Sequence, residues 1–392
     1  MSMSRTLHLY IFCDALGWEI DRRRPVAADI MSYRSPLNTI FGYSSTCDPT
    51  ILTGLMPSEH GHFSCFYYGP KTSPFRPLAP FALLPRALRD RGRVRNVISR
   101  FAKKLYGYTG YFQLYNMPFG LLKFFDYSEK QDIYEPGGIL SGAPTIFAKW
   151  KEAGLKYHVS RWGAPEADRI AEAEAAITAG EIDCAYVYLA DLDAVLHRVG
   201  PIGEDADRKL DEYGEIIRRL YGLAADRYGR VSVHMFSDHG MTAVTKTVDL
   251  MSDVAQTGLV FGVDYAAVYD STMARFWFLK DHSQAKIEAA VNGCKDGAWL
   301  SKSKLADYGC DFEDDKYGEA FFVLNPGVLL CPSFMGSTPL AGMHGYAPED
   351  KNSTAIYATN DRSGPLPKRL DDLFDLMLAP TRPEPEPLAV AI

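Results

Sequence analysis

The sequence predicts an α/β fold with a mainly parallel central sheet flanked by helices and carrying an inserted cap region. Three observations lead there: apolar runs stop abruptly at polar residues, segments of helical period lie between them, and acidic residues fall where the runs stop. Short, nearly continuous apolar strands suit a sheet buried on both faces. Alternation of such strands with helices makes the sheet parallel, and its ligand site then lies beyond the carboxyl ends of the strands.

Taken in order, MSMSRTLHLYIFCDALGW holds one early Arg and a short apolar run ending at Asp14. It reads as a first strand, because it lacks the length and small-residue exit of a signal peptide. Further strands are predicted at RVRNVIS near residue 96, at CAYVYLA before Asp191, and at VSVHMF before Ser237 and Asp238. Helices are predicted at PTIFAKWKEAG (144–154), EADRIAEAEAAITAG (166–180) and DADRKLDEYGEIIRRLYGLAADRYG (205–229). Residues 101–142, crowded with aromatics, Gly and Pro, break the rhythm and read as a cap insertion; about 250–340 reads as a second excursion. One domain is expected over 1–380, and the Pro- and Glu-rich residues 381–392 are expected to be a disordered tail.

At 392 residues and 47% hydrophobic content, the chain can bury one large core with an inserted lobe. Asp and Glu number 49 against 42 Lys and Arg, with no long basic run, so the footprint of a duplex nucleic-acid binder is missing. No stretch approaches the roughly 20 apolar residues of a membrane helix. Seven scattered cysteines without CxxC pairs suggest neither a disulfide framework nor a cysteine–zinc site, and a cytoplasmic setting is expected. The composition does not fix an oligomeric state.

Chemistry concentrates in a few places. In YLADLDAVLHRVG, Asp193 and His197 stand four apart, on one face of a helical turn, where carboxylate and imidazole can grip one cation. Asp238 and His239 directly follow an apolar strand in FSDHGM, with Gly240 permitting a tight turn. Asp14 ends another strand, and His344 lies between glycines in GMHGY. In YSSTCDPTILTGLMPSEHGH (43–62), Ser44, Ser45 and Thr46 offer hydroxyls just before a short helix with Pro49 early in it. Free N–H groups and the helix dipole there favour a phosphoryl group. Singly, each motif also has a bland explanation, as a solvated pair or an N-cap.

Together these motifs resemble the alkaline phosphatase superfamily, and within it the type I phosphodiesterase/nucleotide pyrophosphatase branch. The early Asp14, TGLMPSEHG, DLDAVLH, SDHGM and the late HGY occur in that family's order across residues 8–346. The resemblance implies an alkaline phosphatase-like fold and a hydrolase with two divalent metal ions, zinc or manganese. Asp193, His197 and His344 would hold one ion and Asp14, Asp238 and His239 the other. The family's nucleophile stands nine positions before the Thr of the TG pair, here Thr53, which points to Ser44, with Ser45 and Thr46 as fallbacks. A metal-activated serine attacking a small-molecule phosphate ester, through a phosphoserine intermediate, is the implied chemistry.

Departures from the family limit the substrate. The CxPxR signature of sulfatases is absent at Cys47-Asp48-Pro49-Thr50-Ile51, and Cys47 stands where phosphodiesterase relatives carry an Asn that binds a phosphoryl oxygen. His60, His62 and Arg275 are further candidates for substrate contact, the guanidinium of Arg275 because its fork matches a phosphate or carboxylate. A phosphomonoesterase, phosphonate hydrolase or phosphoryl transferase would use the same centre, and a binding protein would keep the fold without turnover.

Overall fold

A computed structural model describes residues 5–85, 91–364 and 366–382. Its main sheet has six strands: β1 (Thr6–Cys13), β2 (Tyr33–Leu37), β3 (Tyr157–Val159), β4 (Cys184–Leu189), β5 (Arg230–Phe236) and a last strand, Ala355–Thr359. Strands β4, β1 and β5 form the parallel centre, in register from His8 opposite Cys184 to Phe12 opposite Phe236. This register brings Asp14 and the turns before Asp193 and Asp238 to one edge. The last strand runs antiparallel between β2 and β5.

Side chains of β1 alternate between two helical layers, as a strand buried on both faces requires. Leu7, Leu9, Ile11 and Cys13 join the core under α4 (Glu166–Ala179) and α6 (Glu204–Ala225). Tyr10 and Phe12 point the other way, against α1 (Ser44–Thr53), α3 (Ile146–Glu152) and α7 (Asp372–Leu378). All three helices predicted from periodicity form, the second almost over its predicted range and the first and third over shorter spans.

RVRNVIS is not a strand. It lies in α2 (Gly92–Tyr106), where Val94, Ile98 and Ala102 recur every fourth residue and pack inward while Val97 and Phe101 stay exposed. That spacing is the period of a helix, and Gly107, at φ 67°, stops it.

The aromatic stretch and the region after 250 share one apolar cluster: Phe112, Leu114, Phe119 and Tyr127 pack with Leu250, Val268, Phe276 and Phe334. The later region folds as an antiparallel sheet of β6 (Tyr265–Tyr269), β7 (Met273–Phe278), β8 (Gly297–Trp299) and β9 (Ala320–Leu324), in the order β6–β7–β9–β8. Ala355–Thr359 is therefore β10. The expected tail falls largely on residues 383–392, outside the described residues; Thr381 closes a short 3₁₀ turn. No helix of the described residues is long and apolar enough to cross a membrane.

One buried network fixes helix α5 (Asp191–Val199). Glu166 accepts hydrogen bonds from Lys209 Nζ (2.8 Å), Tyr213 Oη (2.8 Å) and the N–H of Asp191 (2.9 Å), and Tyr213 in turn accepts from the N–H of Leu192. Leaving Glu166 buried without its cation costs about 3–5 kcal/mol. Lys209→Met is accordingly expected to lower the unfolding free energy by about that amount, read by urea denaturation; an unchanged midpoint would show the network to be dispensable.

Candidate active site

The six sequence-predicted ligands converge at the carboxyl edge of the sheet. Asp14 follows β1, Asp238 and His239 follow β5, Asp193 and His197 lie one turn apart on α5, and His344 arrives on a late loop. Candidate ligand atoms of Asp193, His197 and His344 lie within 4.8 Å of one another, as do those of Asp14, Asp238 and His239. The two groups adjoin, because the rings of His239 and His344 stack with centroids 3.6 Å apart.

Within the groups, polar atoms face each other without satisfying each other. His197 Nε2 lies 3.2 Å and His344 Nε2 3.7 Å from Asp193 Oδ1, and His239 Nε2 lies 2.9 Å from Asp238 Oδ2 and 3.8 Å from Asp14 Oδ1. Yet Asp14 Oδ1, Asp193 Oδ1 and Asp238 Oδ2 are buried with no aligned hydrogen-bond partner. Buried polar atoms are almost always partnered, so lone pairs converging in this way fit cations between them. Carbonyl groups aim the imidazoles: His197 Nδ1 lies 2.9 Å from the oxygen of Gly342, and His239 Nδ1 lies 2.9 Å from that of Gly240.

Electrostatics agree with surplus negative charge. Burial, then the carboxylates of Asp238 and Asp193, push Asp14 well above the usual carboxylate range. Burial alone would depress His239, but Asp238, Asp14 and Asp193 outweigh it and raise it to about 10. The same excess of negative charge is what a cation bound there would neutralise, displacing that proton.

Helix α1 brings the hydroxyls. Rather than preceding the helix, Ser44, Ser45 and Thr46 form its first turn, and Pro49 sits inside it. Ser44 Oγ lies 3.1 Å from His239 Nε2. Ser45 Oγ donates to the carbonyl of Phe63 at 3.3 Å, and Thr46, fully buried, donates to the same carbonyl. Of the three, Ser44 meets the cluster. Two glycines allow the close packing: a Cβ on Gly240 would stand 2.1 Å from the carbonyl oxygen of Asn352, so close approach explains this glycine better than a turn. One on Gly345, at φ 86°, would strike the ring of Tyr43.

The other predicted substrate contacts are not brought to the site. Cys47 is fully buried beside Thr39, on the helix face packed against the sheet. His60 Nε2 pairs with Thr50 Oγ1 at 3.0 Å, and His62 Nε2 accepts the N–H of Leu140 at 3.0 Å, so both satisfy local groups. Arg275 is 0% exposed and spends its donors on Asp270, Ser64 and the carbonyls of Tyr317 and Phe66, which leaves no fork for a ligand.

The site opens into a cavity of about 550 Å³ whose lining includes Ser44, Asp14, Asp193 and His344. Residues that sequence reasoning missed also line it: Asp48, Glu129, Tyr111, Tyr115 and Tyr188. Asp48 was within reach, since it follows Ser44 by four residues on the same helical face. Tyr188 Oη donates to Asp14 Oδ2 at 2.6 Å. Partners that orient a ligand are typically worth 10–100-fold, so Tyr188→Phe is expected to weaken metal-dependent turnover by about that factor. Unaltered metal titration curves would show that Asp14 needs no such support.

Comparison with known proteins agrees with this geometry. The family model of type I phosphodiesterase / nucleotide pyrophosphatase matches residues 34–298, more than half of the chain. The chain belongs to that family. Its members are phosphoester hydrolases, and the fold is theirs. Human ectonucleotide pyrophosphatase/phosphodiesterase 5 superimposes with TM-score 0.66 at 15% identity, covering 95% of this chain and 94% of that one. The murine protein, as an inactive variant in complex with AMP, gives TM-score 0.66 at 15% identity over 97% and 95% of the two chains. A further murine structure gives 0.65 at 16% over 96% and 95%. A search of curated protein sequences found no significant match.

Proposed function

We propose that this family member is a phosphodiesterase that works through Ser44 and two divalent cations, zinc or manganese. The observation that carries the proposal is the Ser44 hydroxyl, 3.1 Å from His239 and beside two carboxylate–histidine groups whose inward oxygens lack partners. Asp193, His197 and His344 would hold one cation, and Asp14, Asp238 and His239 the other. When bound, the cations supply Lewis-acid charge that lowers the pKa of a hydroxyl and stabilises developing oxyanions.

The chain's own groups then do the following. Ser44 Oγ gives its proton to solvent and attacks phosphorus; a phosphorus–oxygen bond to the seryl oxygen forms as the bond to the leaving alkoxide breaks, and the alkoxide takes a proton from water to depart as the alcohol. The N–H groups of Ser44 and Ser45, at the open end of α1, would favour the charge of the phosphoryl oxygens, while those of Thr46 and Cys47 donate to the carbonyl of Tyr43. Water then cleaves the phosphoserine, returning the hydroxyl and releasing a monoester. Tyr188 keeps the carboxylate of Asp14 in place throughout.

AMP, bound by the murine neighbour, supports a small phosphate ester as substrate. All seven cysteines are unpaired, which supports a reducing, cytoplasmic setting. The test is turnover of a nitrophenyl phosphodiester against the nitrophenyl monoester, by enzyme loaded with zinc or manganese. The diester is expected to be the faster substrate; faster monoester hydrolysis would favour a phosphomonoesterase on the same site.

A further inference from the structure

Away from the ligand cluster, the cavity contains a carboxylate that nothing in the protein answers. Glu129 lies just past the short strand Phe125–Tyr127, is 7% exposed, and lines the cavity. Its Oε1 is buried without a hydrogen-bond partner. The adjacent Lys130 turns elsewhere, to Asp126 at 2.7 Å, and among the described residues no cation pairs with Glu129. An isolated buried carboxylate is costly and persists where something else supplies the missing partner. Burial pushes Glu129 up to about 8, in keeping with a group that awaits either a proton or a ligand.

The surroundings narrow what that ligand is. Tyr111 and Tyr115, joined by a 2.7 Å hydrogen bond, line the same cavity together with Tyr134 and Trp162, and the rings of Tyr111 and Trp162 meet edge to face. Aromatic faces attract cations and repel anions, and Trp162 already carries the ammonium of Lys103 at 5.1 Å, which leaves the tyrosines for a ligand. Asp48, whose Oδ1 is also unpartnered, adds a second carboxylate to the lining. Asp14, Asp193, Asp238 and an ionised Ser44 balance two divalent cations, so Asp48 and Glu129 are left over, and a positive group entering the cavity would hold as carboxylates two groups whose burial otherwise favours a proton.

We propose that Glu129, with the tyrosine wall, is a specificity residue that receives an ammonium group on one ester arm of the substrate, so that phosphodiesters of amino alcohols are preferred over neutral diesters and phosphoanhydrides. The inference rests on the phosphodiesterase reading given above and names the substrate class for that site.

The experiment uses the metal-loaded full chain and three nitrophenyl phosphodiesters whose other arm is 2-aminoethyl, 2-hydroxyethyl or 2-carboxyethyl. The kcat/KM of the amine is expected to exceed that of the hydroxyl compound by about tenfold or more, the worth of one charge-assisted hydrogen bond, with the carboxylate slowest. Glu129→Gln is expected to bring the amine-to-hydroxyl ratio close to one, and Glu129→Asp to keep part of it. A variant that only misfolds or loses metal lowers all three rates together and preserves the ratio. A ratio near one in the parent enzyme, or a ratio that survives Glu129→Gln, overturns the inference and leaves the phosphodiesterase standing. Failure to hydrolyse any of the three overturns both.

Discussion

Replacing Ser44 with alanine is expected to abolish turnover, by about 10⁴–10⁶-fold, while leaving metal binding intact. The magnitude is that of removing a nucleophile from a site whose other groups still bind and polarise substrate. Two facts make the result specific to Ser44. Its Oγ lies beside His239, whereas the hydroxyls of Ser45 and Thr46 are turned to the carbonyl of Phe63. The change also removes one oxygen from a half-buried helix start, where the missing hydroxyl costs the fold little. Steady-state kinetics together with metal analysis check both halves. Activity retained near the parent level would move the nucleophile to Ser45, the remaining first-turn hydroxyl that lines the cavity.

The second large effect is expected from Asp238→Asn, and it separates function from stability. Asp238 is fully buried; its Oδ1 accepts the N–H of Ala15 at 3.2 Å, and its Oδ2 faces His239 unpartnered. Asparagine preserves the first contact and removes the charge needed for the second. Turnover is expected to fall by more than about a hundredfold, since orienting partners alone are worth 10–100-fold. Without metal, by contrast, the variant is expected to stay close to the parent in stability. The charge of Asp238 repels Asp14 and attracts His239, so its removal relieves one interaction and loses the other. Thermal unfolding with chelator and with added metal reads both effects. In the parent, metal at about a hundred times its Kd contributes about 2.7 kcal/mol per site. A variant that keeps the parent's full metal-dependent gain would exclude Asp238 as a ligand.

Much of this was legible in the sequence, for a physical reason. A strand buried on both faces must be apolar, and a parallel sheet collects its site at the strand ends, so β1, β4 and β5 announced themselves together with Asp14, Asp193 and Asp238. The peripheral strands were silent. β2 reads YRSPL, with a proline and one fully buried residue, and β3 has only three residues. RVRNVIS misled because its three apolar residues can be read as a strand, whereas Val94 and Ile98 continue with Ala102 as a helical stripe that leaves Val97 exposed.

Site residues divide in the same way. Ser44 and Asp48 share one face of α1 while Cys47 and Ile51 share the face against the sheet, a division already present in the helical period. Arg275 was not predictable from its own strand, because its partner Asp270 precedes the hairpin's second strand and is brought round only by the turn between β6 and β7. Glu129 carries no local signal at all. Its burial arises when the aromatic stretch packs with the region after 250, and no window of sequence around YSEKQD contains that contact.

The central claim is that six side chains from separate elements form two adjoining cation sites beside Ser44. An anomalous difference map from crystals grown with zinc tests it most directly. Two peaks are expected, one among Asp193, His197 and His344 and one among Asp14, Asp238 and His239, with Ser44 Oγ alongside. No peak there, or zinc bound only elsewhere on the chain, would contradict the account.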